Sequence, residues 1–489
     1  MSVLFKGGRI KSSNKEVTRF ISSMKYDIAL LKYIIEINEA HTIMLIEQGI
    51  IEKSQGLELL KALNLKTKIK AKPWLEDIHI YVEEEVAKRA KGEAGGNLHV
   101  AKSRNDQVAA AIRMKLREEI INLMKVSLNF QKNLLRKAEK HVQTIVCGYT
   151  HLRPAQPITF AHYLLYHFDV FQRNLQRLVA CYRRVNASPM GAAALATTSF
   201  PINRKRMAEL LGFADVLENS LDAVSSRDFI LEALATLSII AIDISRLAED
   251  LIIWSTLEFD LIELPDDFCS TSSIMPQKKN PDVLEVIRAR MSYVIGNFTT
   301  CALTLKSLPS GYNLDFQEIT PKLWESFAII NESLDMLSKL ITSCKPKKVK
   351  DSILAFSTST ELVNILFQKY GIPFRTAHKI VGALVRFLLE RGLTPADATP
   401  EILKEVAEKV AGSPLSISEG DLKKSFKASN FIEAHTVQGG PSPTEVQRML
   451  NTRKSVLASM ETQTAEMKAK ILNAHKNLAH LIEKFCQSA

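Results

Sequence analysis

The sequence predicts an all-α protein. Nearly every long segment spaces its apolar residues with helical rather than alternating periodicity, and Pro and Gly fall between those segments. The runs at about 106–141, 159–185, 226–255 and 281–306 each exceed an average helix and carry few breakers, which predicts a long-helix bundle.

Along the chain, residues 26 to about 49 read as a helix through Ile28, Leu31, Ile34 and Ile35, and 74–91 as another through Ile78, Val82 and Val86. The segment 229–254 is apolar nearly all round, so burial is expected on several sides, deep in a domain or between subunits. An oligomer is therefore expected. After Ser343 the helices shorten, broken by Gly371-Ile372-Pro373, by Gly392 and by the turn Gly439-Gly440-Pro441-Ser442-Pro443, and a polar helix follows from about residue 444. The expected division is a helical N-terminal domain (1–104), a central long-helix bundle serving as the oligomerisation core (105–343), and a small helical C-terminal domain with a returning terminal helix (344–489). There is no internal repeat or low-complexity tract.

Bulk properties narrow the class. A chain of 489 residues, 46% hydrophobic and 24% charged, can bury a large core. Lys6, Arg9 and Lys11 interrupt the N-terminal stretch, which does not read as a signal peptide, and the most apolar run, 237–242, is closed by Asp243 and is too short for a bilayer. A cytoplasmic protein with no membrane partner is expected. Six scattered cysteines without a C-x-x-C pair argue against a zinc site and a disulfide framework, and Cys269 is the one expected to be more reactive. The net charge of +11 raises the question of nucleic acid, and Lys345-Pro346-Lys347-Lys348-Val349-Lys350 looks superficially like a localisation or phosphate-binding patch. Without an aromatic-interleaved basic stripe, that cluster reads as a solvated connection, and no nucleic-acid partner is expected. Excess positive charge also steers a polyanionic small substrate.

The richest stretch is Ser272-Ser273-Ile274-Met275-Pro276-Gln277-Lys278-Lys279-Asn280-Pro281. Asn280 followed by Pro281 has the form of an N-cap and a first helical position. A helix starting there would aim free N–H groups and its positive dipole end at the serines and Lys278, a place that favours carboxylates and growing negative charge. The run resembles the S-S-x-M-P-x-K-x-N signature of the fumarase, aspartase and argininosuccinate lyase superfamily, and its Gln277-Lys278-Lys279-Asn280-Pro281-Asp282 spelling is most like the argininosuccinate lyase branch.

Further blocks carry the same resemblance. Ser103-Arg104-Asn105-Asp106-Gln107-Val108 precedes a long helix, where Asn105 or Asp106 would serve as a cap; it is similar to the family's S-R-N-D-Q-V, whose arginine and asparagine, here Arg104 and Asn105, help hold substrate. Gly148-Tyr149-Thr150-His151-Leu152 is similar to a motif whose threonine, here Thr150, contacts a substrate carboxylate and whose histidine, His151, lines the acid side of the site. Glu285, thirteen residues after Ser272, stands where the superfamily supplies a carboxylate to that histidine; such a partner favours imidazolium. Tyr312 and Gln317 match the Y-N-x-D-x-Q-E segment. Ser23 and Asp27 resemble an N-terminal S-x-x-x-D pair, and a carboxylate at Asp27 suits a guanidinium. Glu76-Asp77-Ile78-His79 resembles E-D-x-H, and Asn219-Ser220-Leu221-Asp222-Ala223 with Ser226-Arg227-Asp228-Phe229 resembles N-S-x-D-A…R-D-F, adding Arg227 to the substrate-binding set. Two departures stand out: Thr320 where the family usually has lysine, and Thr271 where it usually has glycine. The latter is expected to shift a loop-closing equilibrium.

The resemblance implies β-elimination of argininosuccinate to arginine and fumarate without metal or cofactor. It assigns Ser272 as general base, Lys278 and Asn280 to the developing aci-carboxylate, and His151 with Glu285 to the leaving nitrogen, with a neighbour of His151 left open as the donor. A homotetramer with composite sites is implied. Rival readings are another fumarate-releasing lyase of the superfamily and a non-catalytic crystallin-like relative.

Overall fold

The computed structural model describes residues 14–65, 69–70, 72, 74–412 and 414–487; Lys6, Arg9 and Lys11 lie outside them. Helices dominate, and the strands among the described residues form four two-stranded pairs.

Five long helices, Arg104–Glu139, Phe160–Val185, Asp228–Trp254, Asp282–Leu305 and Phe316–Ser343, make the central bundle. Asp228–Trp254 packs against Phe160–Val185, Asp282–Leu305 and Phe316–Ser343, while Arg104–Glu139 lies along Phe160–Val185 and Phe316–Ser343. Two of the starts have a side-chain cap. Ser103, not Asn105 or Asp106, is the N-cap of the first, completed as a capping box by Asp106, and Arg136 and Lys137 complement the dipole in its last turn. Thr159 caps Phe160–Val185 by accepting the His162 N–H. The Phe316–Ser343 helix is absent from the expectation above because Pro321 stands inside it and interrupts the pattern.

Interior polar groups fix how these helices meet. The fully buried Arg117 donates to the carbonyls of Leu211 and Gly212 and to Asn186 Oδ1, and stacks 4.0 Å from the Phe213 ring. The 186–213 segment is thereby tied to the middle of the Arg104–Glu139 helix. Phe130 and Phe171 meet edge to face at 4.7 Å between the Arg104–Glu139 and Phe160–Val185 helices.

Apolar residues from Met24 to Leu478 form one continuous core, in which the N-terminal helix Leu31–Glu47 and the terminal helix Pro443–Gln487 share the packing of the bundle. The terminal helix is held along the bundle by the Arg453–Asp169 fork, Lys454–Glu139 and Lys132–Glu461. A second core of Leu362, Leu366, Ile380, Leu384, Leu403 and Leu422 lies within the shorter helices between residues 359 and 425.

The Lys345–Lys350 cluster is occupied as a connection: Lys345–Pro346 pairs antiparallel with Ile262–Glu263, Lys347 bridges Asp260 and Glu263, and Lys350 bridges Asp260. No helix among the described residues is long and apolar enough to cross a membrane. The Asp228–Trp254 helix is buried on its inner side while Ile239 and Ile242 remain exposed, as do Val286, Tyr293 and Leu303 on Asp282–Leu305. These two neighbouring helices therefore present an apolar outer face in the single chain.

Candidate active site

The expected site residues fall into three groups. The first lines one cavity of about 440 Å³, bounded by the N-terminal segment, the start of the Arg104–Glu139 helix and the start of Phe316–Ser343. Ser23, Asp27, Arg104, Asn105, Tyr312 and Gln317 all reach it. Asp77 caps the Ile78–Arg89 helix through the Ile80 N–H, and its other oxygen accepts from Arg104 Nη1 at 2.8 Å, with Glu76 3.5 Å from the same nitrogen. Arg104 is thus held between the two acids of the E-D-x-H block. Asn105 donates to the Ala194 carbonyl at 3.0 Å, and Gln317 to the Ile21 carbonyl at 2.9 Å, tying the N-terminal segment to the wall.

Arg227 stands behind this cavity rather than on its surface. Its guanidinium is buried 4.2 Å from the Phe316 ring, and Nη1 donates to the Val224 and Ser226 carbonyls. Nε and Nη2 have no hydrogen-bond partner among the described residues. Burial holds the group down at about 10, and it backs the ring next to Tyr312, whose own ring meets Phe316 edge to face at 5.7 Å.

The second group sits on a β-hairpin, Ile145–Thr150 with Arg153–Thr159. Thr150 pairs with Arg153, leaving His151 and Leu152 as a two-residue turn with φ of 54° and 57°. Both central residues of a type I′ turn need positive φ, a requirement normally met by Asn or Gly. Here a histidine and a leucine meet it at the exposed tip, a strained conformation of the kind found at functional sites.

The third group is the Ser272 loop and the helix behind it. Ser270–Thr271 pairs antiparallel with Lys279–Asn280, closing the loop at its stem. Lys279 bridges Glu263 at 2.9 Å and Asp266 at 2.7 Å, whereas Lys278 makes no ion pair among the described residues. Ser272 Oγ accepts the N–H groups of Ile274 at 3.3 Å and Met275 at 3.2 Å. The helix begins at Asp282 with Pro281 as its cap residue, one position later than expected, because Asn280 is engaged in the stem strand. Glu285 lies in the helix's first turn and makes no ion pair with His151 within the chain. Cys269 is no more reactive for its position: burial pushes its thiol up, away from the thiolate.

None of Thr150, His151, Ser272, Lys278, Asn280 or Glu285 lines the cavity that gathers the first group. Conversely, the cavity wall includes Lys102, His79, Glu83, His99 and Thr320, to which the sequence assigned no role. The signal was present for two of them, since Lys102 directly precedes the Ser103 cap and His79 closes the E-D-x-H block.

An all-α bundle carrying this loop, hairpin and cavity defines a lyase. The family model described as "Lyase" matches residues 27–296, and that described as "Argininosuccinate lyase C-terminal" matches residues 356–433. Argininosuccinate lyase of Methanocaldococcus jannaschii is 40% identical, covering 96% of this chain and 98% of its own, and that of Methanococcus aeolicus is 39% identical over 98% and 99%. A crystal structure of EDDS lyase in complex with formate superimposes with a TM-score of 0.87 at 27% identity, covering 98% of this chain and 97% of that one. The chain belongs to the argininosuccinate lyase family, within the fumarase/aspartase superfamily, and is a carbon–nitrogen lyase that cleaves argininosuccinate to arginine and fumarate.

Proposed function

We propose that the elimination takes place in a homotetramer whose sites bring together the cavity of one subunit, the His151 hairpin of another and the Ser272 loop of a third. The separation of the three groups within one chain, together with the exposed apolar face on Asp228–Trp254 and Asp282–Leu305, supports that assembly. Residues 105–343 are its oligomerisation core, flanked by the helical domains 1–104 and 344–489.

In this reading Asp27, Ser23, Arg104, Asn105, Tyr312 and Gln317 hold the arginine portion. Ser272 takes the proton from the succinyl carbon, and the electron pair flows into the adjacent carboxylate as an aci-form. A serine hydroxyl is a poor base in water. The two N–H groups already directed at Ser272 Oγ stabilise its ionised form, and closure of the loop over substrate would remove the competing water. The base assignment follows the family resemblance, and that geometry is the observation that supports it. Lys278, not engaged by any carboxylate among the described residues, and Asn280 meet the charge on the aci-carboxylate. Thr150 binds a succinyl carboxylate and Arg227 supports the wall beside Tyr312. His151, with Glu285 from a neighbouring subunit, protonates the departing guanidino nitrogen. The site lies in the cytoplasm and needs no metal or cofactor, because fixed donors carry the charge.

The test is fumarate release from argininosuccinate, followed by absorbance, in wild type and Ser272→Ala. Wild-type turnover with an inactive variant that still binds substrate supports the reading; wild-type-like turnover in the variant removes Ser272 as base.

A further inference from the structure

Lys102, in the cavity wall, forms no ion pair among the described residues. Arg104 is held by Asp77 and Glu76, and His99 Nε2 lies 2.7 Å from Glu83 Oε1. Burial pushes His79 down to about 4, so its imidazole is neutral. Lys102 is equally enclosed, yet no carboxylate among the described residues lies within ion-pair distance of it. Its Nζ donates to Asn38 Oδ1, a neutral acceptor whose own amide nitrogen is committed to the Ile34 carbonyl.

Asp106 and Glu83 act on it only from a distance and are engaged elsewhere. Asp106 accepts from the N–H groups of Ser103, Gly191 and Ala193, and Glu83 is turned to His99. His41, on the neighbouring helix, is committed to the Val100 carbonyl. Ala101, in a left-handed conformation at φ 59°, turns the chain immediately before Lys102 and so sets the side chain against the cavity instead of solvent. Burial pushes Lys102 down to about 7, and a carboxylate entering the cavity beside Nζ restores its ammonium form and relieves the cost of enclosing it.

We infer that Lys102 is a specificity-determining residue that binds the α-carboxylate of the arginine portion of the substrate. This rests on the proposed placement of the arginine portion in the cavity: the succinyl carboxylates belong to the Ser272 loop and the hairpin and Asp27 faces the guanidinium, so the carboxylate that reaches Lys102 is the amino-acid one. A purely structural Lys102, linking Asn38 to the helix start, would leave ligand discrimination unchanged.

The experiment compares product inhibition of fumarate release by arginine and by its decarboxylated analogue agmatine. In wild type, arginine should inhibit more tightly than agmatine by about 10–100-fold, the worth of one charge-assisted hydrogen bond. Lys102→Met should erase that preference by weakening arginine alone, and Lys102→Arg should restore it. Retention of the preference in Lys102→Met, or equal weakening of both inhibitors, overturns the assignment. So does equal inhibition of the wild type by the two compounds, which needs no variant to fold. Failure of the wild type to release fumarate from argininosuccinate would instead count against the lyase reading itself.

Discussion

The Ser23 hydroxyl donates to the Asp27 carboxyl one helical turn on, at the wall of the cavity. Burial pushes Asp27 up to about 7, the Ser23 bond opposes that shift, and the nearby Asp77 adds to it. An empty site therefore carries a proton on Asp27 well above the ordinary carboxylate range. A guanidinium attracts only the ionised form, so ligand binding below about pH 7 must release that proton. Arginine affinity should rise with pH up to about 7 and level off above it, with proton release visible by calorimetry in buffers of different ionisation enthalpy. Asp27→Asn should remove this part of the pH dependence; an unchanged pH profile would show that Asp27 does not face the cation.

The turn at His151 and Leu152 makes a prediction about stability. Two non-glycine residues in the left-handed region each cost about 1–2 kcal/mol relative to glycine. Leu152 is exposed in the single chain, so Leu152→Gly gives up little burial while relieving one of these costs. The variant should unfold at higher urea concentration by an amount equivalent to about 1 kcal/mol. A loss of stability would mean that Leu152 is covered in the assembled protein.

Much of this was readable beforehand, for physical reasons that differ by element. The long helices were legible because Arg104–Glu139, Phe160–Val185 and Asp228–Trp254 combine strong periodicity with caps or breakers at both ends. Phe316–Ser343 was not, since Pro321 near its start mimics a boundary although it removes only one backbone bond. Asp282–Leu305 starts one residue later than its sequence predicts because Asn280 pairs with Ser270, a contact across the loop that no local cap rule contains. Within the site, motif residues such as Asp27 and Tyr312 are legible from spelling alone. The enclosure of Lys102 depends on Asn38, sixty-four residues away, and so has no signature in local sequence.

Neighbouring lysines on the Ser272 loop separate charge chemistry from anchoring. Lys279 is spent on Glu263 and Asp266 at the stem, while Lys278 has no such engagement among the described residues. Lys278→Met should lower kcat by about 10²–10³-fold, the usual worth of one donor to a developing oxyanion, with the unfolding midpoint nearly unchanged. Lys279→Met breaks exposed ion pairs worth at most about 1 kcal/mol and should lower kcat less, by loosening the stem. Steady-state kinetics on the two variants decide the matter, and a larger loss at Lys279 would reverse the assignment.

Composite sites also predict how inactive variants behave together. If the Ser272 loop and the His151 hairpin of one site come from different subunits, a tetramer containing both Ser272→Ala and His151→Asn chains can hold some sites with neither substitution. Each variant alone should be slowed by on the order of 10²–10⁴-fold as a lost base or acid. Unfolding and refolding an equal mixture should then regain fumarate release well above the sum of the parents. Adding Ile242→Glu to either chain places a charge on the exposed apolar face of Asp228–Trp254, which should dissociate the assembly in light scattering and abolish the regain. A mixture that forms mixed tetramers yet stays as inactive as its parents would place the serine and the histidine of each site on the same chain, and the subunit-sharing arrangement would have to be withdrawn.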